Sequence, residues 1–128
     1  MQHHEFVGQV QARAQLADVG AATSAIRATL QTLGERIPEG LAGNVAADLP
    51  REIGEYLRMT AASPSRGVRF DKEEFLARVS DRAGMSRTQA SDAARVVLEV
   101  AGEATQGRVM EHLQAALPAD LRQMVRAG

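Results

Sequence analysis

The residues that could bind a metal ion are few and poorly placed for it. His3, His4 and Glu5 stand together near the N-terminus, and two imidazoles with a carboxylate are a ligand set that zinc accepts. Adjacent side chains on a helix point about 100° apart, so these three diverge. His112 is the only other histidine. The spacings typical of zinc proteases and di-iron proteins are missing, and we expect no metal and no cofactor.

Candidates for nucleophilic catalysis are equally sparse. The chain has no cysteine, which excludes thiolate chemistry and disulfides. No serine stands in a Gly-x-Ser-x-Gly elbow, and the glycines do not form a phosphate-binding loop. We therefore predict that the protein is not an enzyme. Catalysis at an unrecognised site between the two repeats described below stays open as an alternative.

A set of charged residues recurs in two copies along the chain. Its eight members are Glu5, Arg13, Arg27, Glu35, Glu74, Arg82, Arg95 and Glu103. Members that share a helix lie eight residues apart, which is about two turns and places them on one face. The set could be a charged surface used twice for binding. We favour a structural role, in which ion pairs between the first and second helices of each repeat fix their register.

Two further regions could bind a partner. The basic stretch over residues 66–95 would be the footprint of a nucleic acid, although acidic residues interleave with it and the formal net charge of the chain is −1. The other region flanks a polar connecting segment and contains side chains without an evident place in a core. We predict that it forms an interaction surface made of Tyr56, Met59, Val68, Arg66 and Arg69.

The elements that position these residues come from a chain that repeats itself. Residues 1–14 align with 70–83, and residues 18–58 align with 86–126, with 15 identities in 55 aligned positions. The stretch LQAALPADLRQMV thus restates VAADLPREIGEYL from the first half. We predict a single domain with repeat one over 1–59, a linker over 60–69 and repeat two over 70–128.

Each repeat carries the signals of four helices, and no strand pattern appears. In repeat two, Asp71 and Glu74 form a capping box, Gly84 supplies the left-handed exit, and Ser86 caps the long second helix. A Leu-Pro dipeptide precedes the last helix of both repeats. The sequence therefore predicts an all-α fold of about eight helices.

The two halves are expected to pack face to face on their long second helices, with a pseudo-twofold relation. Small residues at equivalent positions of these helices, Ala22 and Ala25 in one and Ala90 and Ala93 in the other, permit close approach. Each half of roughly 60 residues is marginal on its own, so the halves must share a core.

Several motifs of this repeat resemble a known bacterial family. They are EEFLARVSDRAG, ASDAARVVLEVAGE and LPADLRQMV in repeat two, with ATLQTLGERI and DLPREIGEYL in repeat one. Over essentially the whole chain they resemble the domain-of-unknown-function family number twenty-two sixty-seven. The resemblance implies an all-helical, stand-alone bacterial protein and no particular activity. Gly54 departs from the pattern, because such a helix usually carries a better helix former there.

Composition completes the functional prediction. Hydrophobic residues make up 45% and charged residues 24% of the chain, as in soluble globular proteins. No apolar run is long enough to span a membrane, and the N-terminus lacks a signal-peptide pattern, so we expect a cytoplasmic protein. We predict a cofactor-free accessory protein that acts through protein–protein interaction or self-association. The alternative is a nucleic-acid-associated protein that uses the stretch Arg66–Arg95.

Overall fold

The chain folds into helices in every range that the computed structural model describes, which are residues 1–61, 71–105, 110–117 and 119–125. Repeat one forms α1 (His3–Arg13), α2 (Val19–Arg36), α3 (Glu39–Ala47) and α4 (Arg51–Ala61). Repeat two forms α5 (Lys72–Ala83), α6 (Arg87–Ala104), α7 (Met110–Ala116) and α8 (Ala119–Val125). These helices confirm the predicted all-α fold of two tandem sets of four.

Local capping interactions set the helix ends where the sequence predicts them. The side chains of Asp18, Asp71 and Ser86 each accept a hydrogen bond from the backbone N–H three residues further along. At the end of α5, Gly84 adopts the left-handed conformation with φ of 68°. These signals involve neighbours in sequence only, so they act independently of how the helices pack.

The apolar faces of the helices meet in one core that both repeats share. Equivalent phenylalanines, Phe6 in α1 and Phe75 in α5, are almost fully buried. Burial of each such side chain contributes about 1.5–3 kcal/mol. Other large side chains of the long helices and α4 that are almost fully buried are those of Ile26, Leu30, Leu33, Val97, Ile53 and Leu57.

The repeats are joined by reciprocal packing of their first helices. Helix α1 contacts α2 of its own repeat and α6 of the other, while α5 contacts its own α6 and also α2. The long helices α2 and α6 contact each other as well, and Ala22, Ala25, Ala90 and Ala93 are fully buried. This arrangement is what a pseudo-twofold relation between the repeats predicts.

Two glycines let α4 approach its neighbours closely. A Cβ atom added to Gly34 in α2 would lie 2.5 Å from the carbonyl oxygen of Leu57. A Cβ atom added to Gly54 would lie 2.6 Å from the carbonyl oxygen of Ala46 in α3. Glycine at position 54 is a poor helix former, yet α4 forms there because the missing side chain permits this contact with α3.

The last turn of α4 corrects the predicted start of the linker. Thr60 and Ala61 belong to the helix. The Thr60 hydroxyl donates to the carbonyl oxygen of Gln31 at 2.5 Å, and Ala61 is buried. The helix thus continues two residues past the predicted end of repeat one because α2 holds it. The remainder of the predicted linker lies outside the described residues.

Candidate functional site

The first polar site centres on a buried carboxylate at the end of α2, where Glu35 is only 5% exposed. Arg82 Nη2 lies 2.7 Å from Glu35 Oε1, and Arg78 Nη1 lies 3.4 Å from the same oxygen. Arg82 Nη1 also donates to Thr32 Oγ1 at 2.7 Å. We call these four residues, Thr32, Glu35, Arg78 and Arg82, the Glu35 cluster; it joins α2 of repeat one to α5 of repeat two.

The second polar site lies at the repeat-related position and is open to solvent. Arg13 Nη1 lies 2.7 Å from both Glu99 Oε1 and Glu103 Oε2, and Arg13 Nη2 donates to Glu103 Oε1 at 2.8 Å. These three residues form the Arg13 cluster, which joins α1 to α6. The hydrogen bonds from Arg13 lower the pKa of the Glu103 carboxyl, and the hydrogen bond to Glu103 raises the pKa of Arg13.

Both clusters correct the predicted pairing of the repeated charges. The sequence prediction pairs the first and second helices within each repeat. In the structure, Arg13 of repeat one binds Glu103 of repeat two, and Arg82 of repeat two binds Glu35 of repeat one. The prediction was wrong about the partner because α1 lies on α6 as well as on α2, and α5 lies on α2 as well as on α6.

The other members of the repeated set have local roles or none that the structure assigns. Glu5 accepts from the backbone N–H of Gln2 in the capping box of α1. Glu74 accepts from Arg78 Nε at 2.9 Å. Arg95 is 4.0 Å from Glu99 one turn along α6, and Arg27 is exposed on α2.

Two of the five members of the predicted interaction surface near the linker lie within the described residues. Tyr56 is half-buried and packs against the core, so the expectation that it lacks a core position was wrong. Met59 is 60% exposed, and its sulfur accepts from Gln31 Nε2 at 3.4 Å. The other three members, Arg66, Val68 and Arg69, lie outside the described residues.

A groove that the sequence did not predict lies between α3 and α7. It encloses about 410 Å³ and is lined by Pro38, Leu41, Asn44, His112, Ala115 and Ala116. Most of the lining that the structure describes is apolar, and its polar side chains are those of Asn44 and His112. The alignment carried one signal for it, because Asn44 and His112 occupy equivalent positions in the two repeats.

A second concavity lies where the α1–α2 and α5–α6 connections approach each other. It encloses about 440 Å³, and its lining includes Gln15, Ser24, Gly84 and Gln89. Gln15, just after α1, has a φ of 55°, and Gly84, just after α5, has a φ of 68°. This lining is mixed in polarity and offers no cluster of groups that would do chemistry together.

Comparison with known proteins assigns the chain to a family. The model of the family described as uncharacterized conserved protein (DUF2267) matches residues 3–124. The chain belongs to this family. No curated protein matches the sequence. The family resemblance of the repeat motifs is thereby confirmed for this DUF2267 protein, and the family description records no activity that could be transferred to it.

Three arginines of the basic stretch in the DUF2267 protein already lie close to carboxylates. Arg78 and Arg82 contact Glu35, and Arg87 Nη1 lies 3.2 Å from Glu73 Oε2. Phosphate recognition needs cations that can replace counterions, and these three are already near carboxylates. Arg66 and Arg69, the first arginines of the stretch, lie outside the described residues.

Metal and membrane sites were also sought across the part of the chain that the structure describes. Within it, no group of three or more histidine, aspartate or glutamate side chains is arranged to hold a metal ion. His3 Nε2 instead lies 3.4 Å from Glu52 Oε2 on α4, and His112 lies in the groove lining. Among the described helices, none combines the length and the apolar character that crossing a membrane requires.

Proposed function

We propose that this DUF2267 protein is a non-enzymatic helical module that binds another protein, and that a helix of the partner occupies the groove between α3 and α7. The observation that carries the proposal is the largely apolar lining that the described residues give that groove. The cytoplasmic location and the accessory role expected from the sequence stay predictions.

The shape of the groove supports a helical partner. Two helices form its walls, and each packs chiefly against the next helix of its own repeat, α3 on α4 and α7 on α8. An amphipathic helix can lay its apolar face into such a groove. Small side chains on the α7 wall, Ala115 and Ala116, leave room for a close approach of the partner backbone.

The chemistry of the groove also distinguishes it from the rest of the described surface. Elsewhere on that surface several charged side chains form ion pairs, such as Glu55 with Arg58 on α4. The groove instead offers Asn44 and His112 as exposed polar groups within an apolar lining. A few polar groups in an apolar site are what fix the orientation of a bound partner.

The test is capture of partners from the native host by variants that place a charge in the groove. Ala115 and Asn44 are exposed, so Ala115→Arg and Asn44→Arg leave the core intact. A buried, unpaired guanidinium opposes binding of an apolar helix face, and we expect capture of the bound protein to fall about tenfold or more. Chemical crosslinking followed by mass spectrometry measures that fall and locates the crosslinked sites.

The matched control is Ala12→Arg, the same substitution at an exposed alanine of α1, away from the groove lining. We expect it to capture the same protein as the wild type. Equal capture by the control and both groove variants contradicts the proposal. So does a set of crosslinks that avoids both α3 and α7.

A further inference from the structure

The contacts that join the two repeats can also form between repeats that belong to two copies of this chain. The charged partners of Arg13 lie in repeat two, and the buried carboxylate that Arg82 binds lies in repeat one. The first helix of each repeat also packs on the long helix of the other. Each repeat therefore presents a complete complementary face to the other repeat.

The covalent join between these faces is a single segment. Residues 62–71, ten in number, connect α4 of repeat one to α5 of repeat two. The packed surfaces themselves do not depend on whether the two repeats belong to one chain. A half of about 60 residues is marginal by itself, so a repeat that separates from its partner has a strong tendency to repack on another.

We propose that two copies of the protein exchange repeats to form a closed dimer, in which repeat one of each copy packs on repeat two of the other. The dimer contains both the Glu35 cluster and the Arg13 cluster twice, with the contacts described above. Exchange of identical elements is a low-cost route to a dimer because it needs no new surface. This association is independent of the α3–α7 groove and of any partner bound there.

Protein concentration decides between the closed monomer and the exchanged dimer. A short linker holds its two ends at an effective concentration on the order of millimolar. Dilute refolding therefore favours the monomer, and refolding near 1 mM, on the order of that value, makes the exchanged dimer comparable in amount to the monomer. Once formed, the dimer separates only by opening the shared core, which makes it persist after dilution.

Charge reversal at the Glu35 cluster distinguishes exchange from any other dimer. Glu35→Arg places a third guanidinium beside Arg78 and Arg82, and Arg82→Glu places two carboxylates together. Neither variant can restore the pair within its own chain. In a mixed, exchanged dimer, one interface recovers the native Glu35–Arg82 pair and the other gains the reversed pair.

The experiment refolds full-length wild type and variants from denaturant at about 1 mM, on the order of the linker's effective concentration, and then measures masses by native mass spectrometry after dilution. We expect wild-type dimers. From an equal mixture of Glu35→Arg with Arg82→Glu we expect heterodimers to outnumber the two homodimers together by about tenfold, where random pairing gives equal numbers, since attraction replaces repulsion at both sites. We also expect the heterodimer to melt at a higher temperature than either variant alone.

The control pair is Glu55→Arg with Arg58→Glu, whose ion pair lies within α4 and is not restored by exchange. Its mixture is expected to give heterodimers at the statistical share. If the buried variants do not fold, Arg13→Glu with Glu103→Arg tests the same exchange at the exposed cluster. Monomers alone for the wild type at that concentration would overturn the proposal. Dimers without a preference for the complementary mixture would overturn it equally.

Discussion

The Glu35 cluster and the Arg13 cluster occupy equivalent positions in the two repeats, yet they bury their charges to different extents. The side chain of Glu35 is 5% exposed, whereas that of its equivalent Glu103 is 49% exposed. Duplication kept the central arginine and glutamate in both. It did not keep their surroundings, and the surroundings decide how much each pair contributes to stability.

The neighbours of the two pairs explain the difference. Beside Glu35, α2 carries Thr32, whose hydroxyl accepts from Arg82, while repeat two has Val100 at that position. Beside Glu103, α6 carries Glu99 as a second carboxylate for Arg13. The buried cluster balances one carboxylate with two arginines and a hydroxyl, and the exposed cluster balances one arginine with two carboxylates.

The largest effect is expected from removing the buried carboxylate of Glu35, with removal of the exposed carboxylate of Glu103 as the comparison. Glu35→Ala leaves Arg78 and Arg82 close together without the carboxylate that both contact. Because these arginines are partly buried, we expect the substitution to lower the free energy of unfolding by about 3 kcal/mol. Glu103→Ala removes an exposed partner and should cost less than about 1 kcal/mol. Urea unfolding of both variants measures the two losses, and equal losses would show that burial does not separate the clusters.

A smaller loss is expected when the buried hydroxyl of the Glu35 cluster is replaced. Thr32→Val introduces the residue type of repeat two and deprives Arg82 of its hydroxyl acceptor. A hydrogen bond to a charged group contributes roughly 1.5–3 kcal/mol, and the 30% exposure of the Arg82 side chain reduces the loss toward the lower end because water can replace the acceptor. Thermal and urea unfolding should agree, and an unchanged midpoint in both would remove Thr32 from the cluster.

A gain in stability, instead of a loss, is expected from a substitution one turn earlier on α2. Thr29 is fully buried, and its hydroxyl has no hydrogen-bond partner among the described residues. Its equivalent in repeat two is Val97. Because an unpaired buried hydroxyl is unfavourable, Thr29→Val should raise the free energy of unfolding by about 1 kcal/mol. Thr29 and Thr32 are thus matched controls, and destabilisation by Thr29→Val would contradict this assignment.

The smallest effect concerns the pH dependence of the Arg13 cluster. The lowered pKa of Glu103 means that the folded protein holds this carboxylate charged more readily than the unfolded chain does. Its contribution is therefore present above the ordinary glutamate value of 4.5 and is lost as pH falls through the lower folded-state pKa. The stability difference between wild type and Glu103→Gln should shrink across that acid range.

Salt provides the control for that last measurement. Exposed ion pairs are screened by added salt, whereas buried pairs are screened much less. We expect 1 M salt, where screening extends over only about 3 Å, to reduce the Glu103→Gln difference more than the Glu35→Ala difference. A pH-independent Glu103→Gln difference at low salt would contradict the role given to Arg13.

The sequence predicted those features that depend on near neighbours in the chain. The caps at Asp18, Asp71 and Ser86 and the left-handed Gly84 were recognisable because each acts over three or four residues. The buried stripes of the long helices followed from their spacing. The duplication also made the weaker signals of repeat one recognisable, because a cap or an apolar stripe in repeat two implied the equivalent feature in repeat one.

Features that depend on the relative position of helices were beyond the sequence. Because Glu35 and Glu103 are the same residue at equivalent positions, nothing in the spacing says which of them receives Arg13. The α3–α7 groove lies between two helices that are far apart in the chain. The core contact of Tyr56 depends on how α4 packs against the other helices. Gly54 looked like a weak helix position until Ala46 was placed beside it.

The crossing of the clusters has a consequence for how the protein is made. Arg13 and its partner Glu103 are 90 residues apart, and a ribosome adding about 5–20 residues per second needs roughly 5–20 s to bridge that distance. During this interval α1 has α2 but not α6 to pack against, although it contacts both in the finished protein. Helix α1 therefore completes its packing only after α6 is made, and until then the face of α1 that contacts α6 stays exposed on the nascent chain.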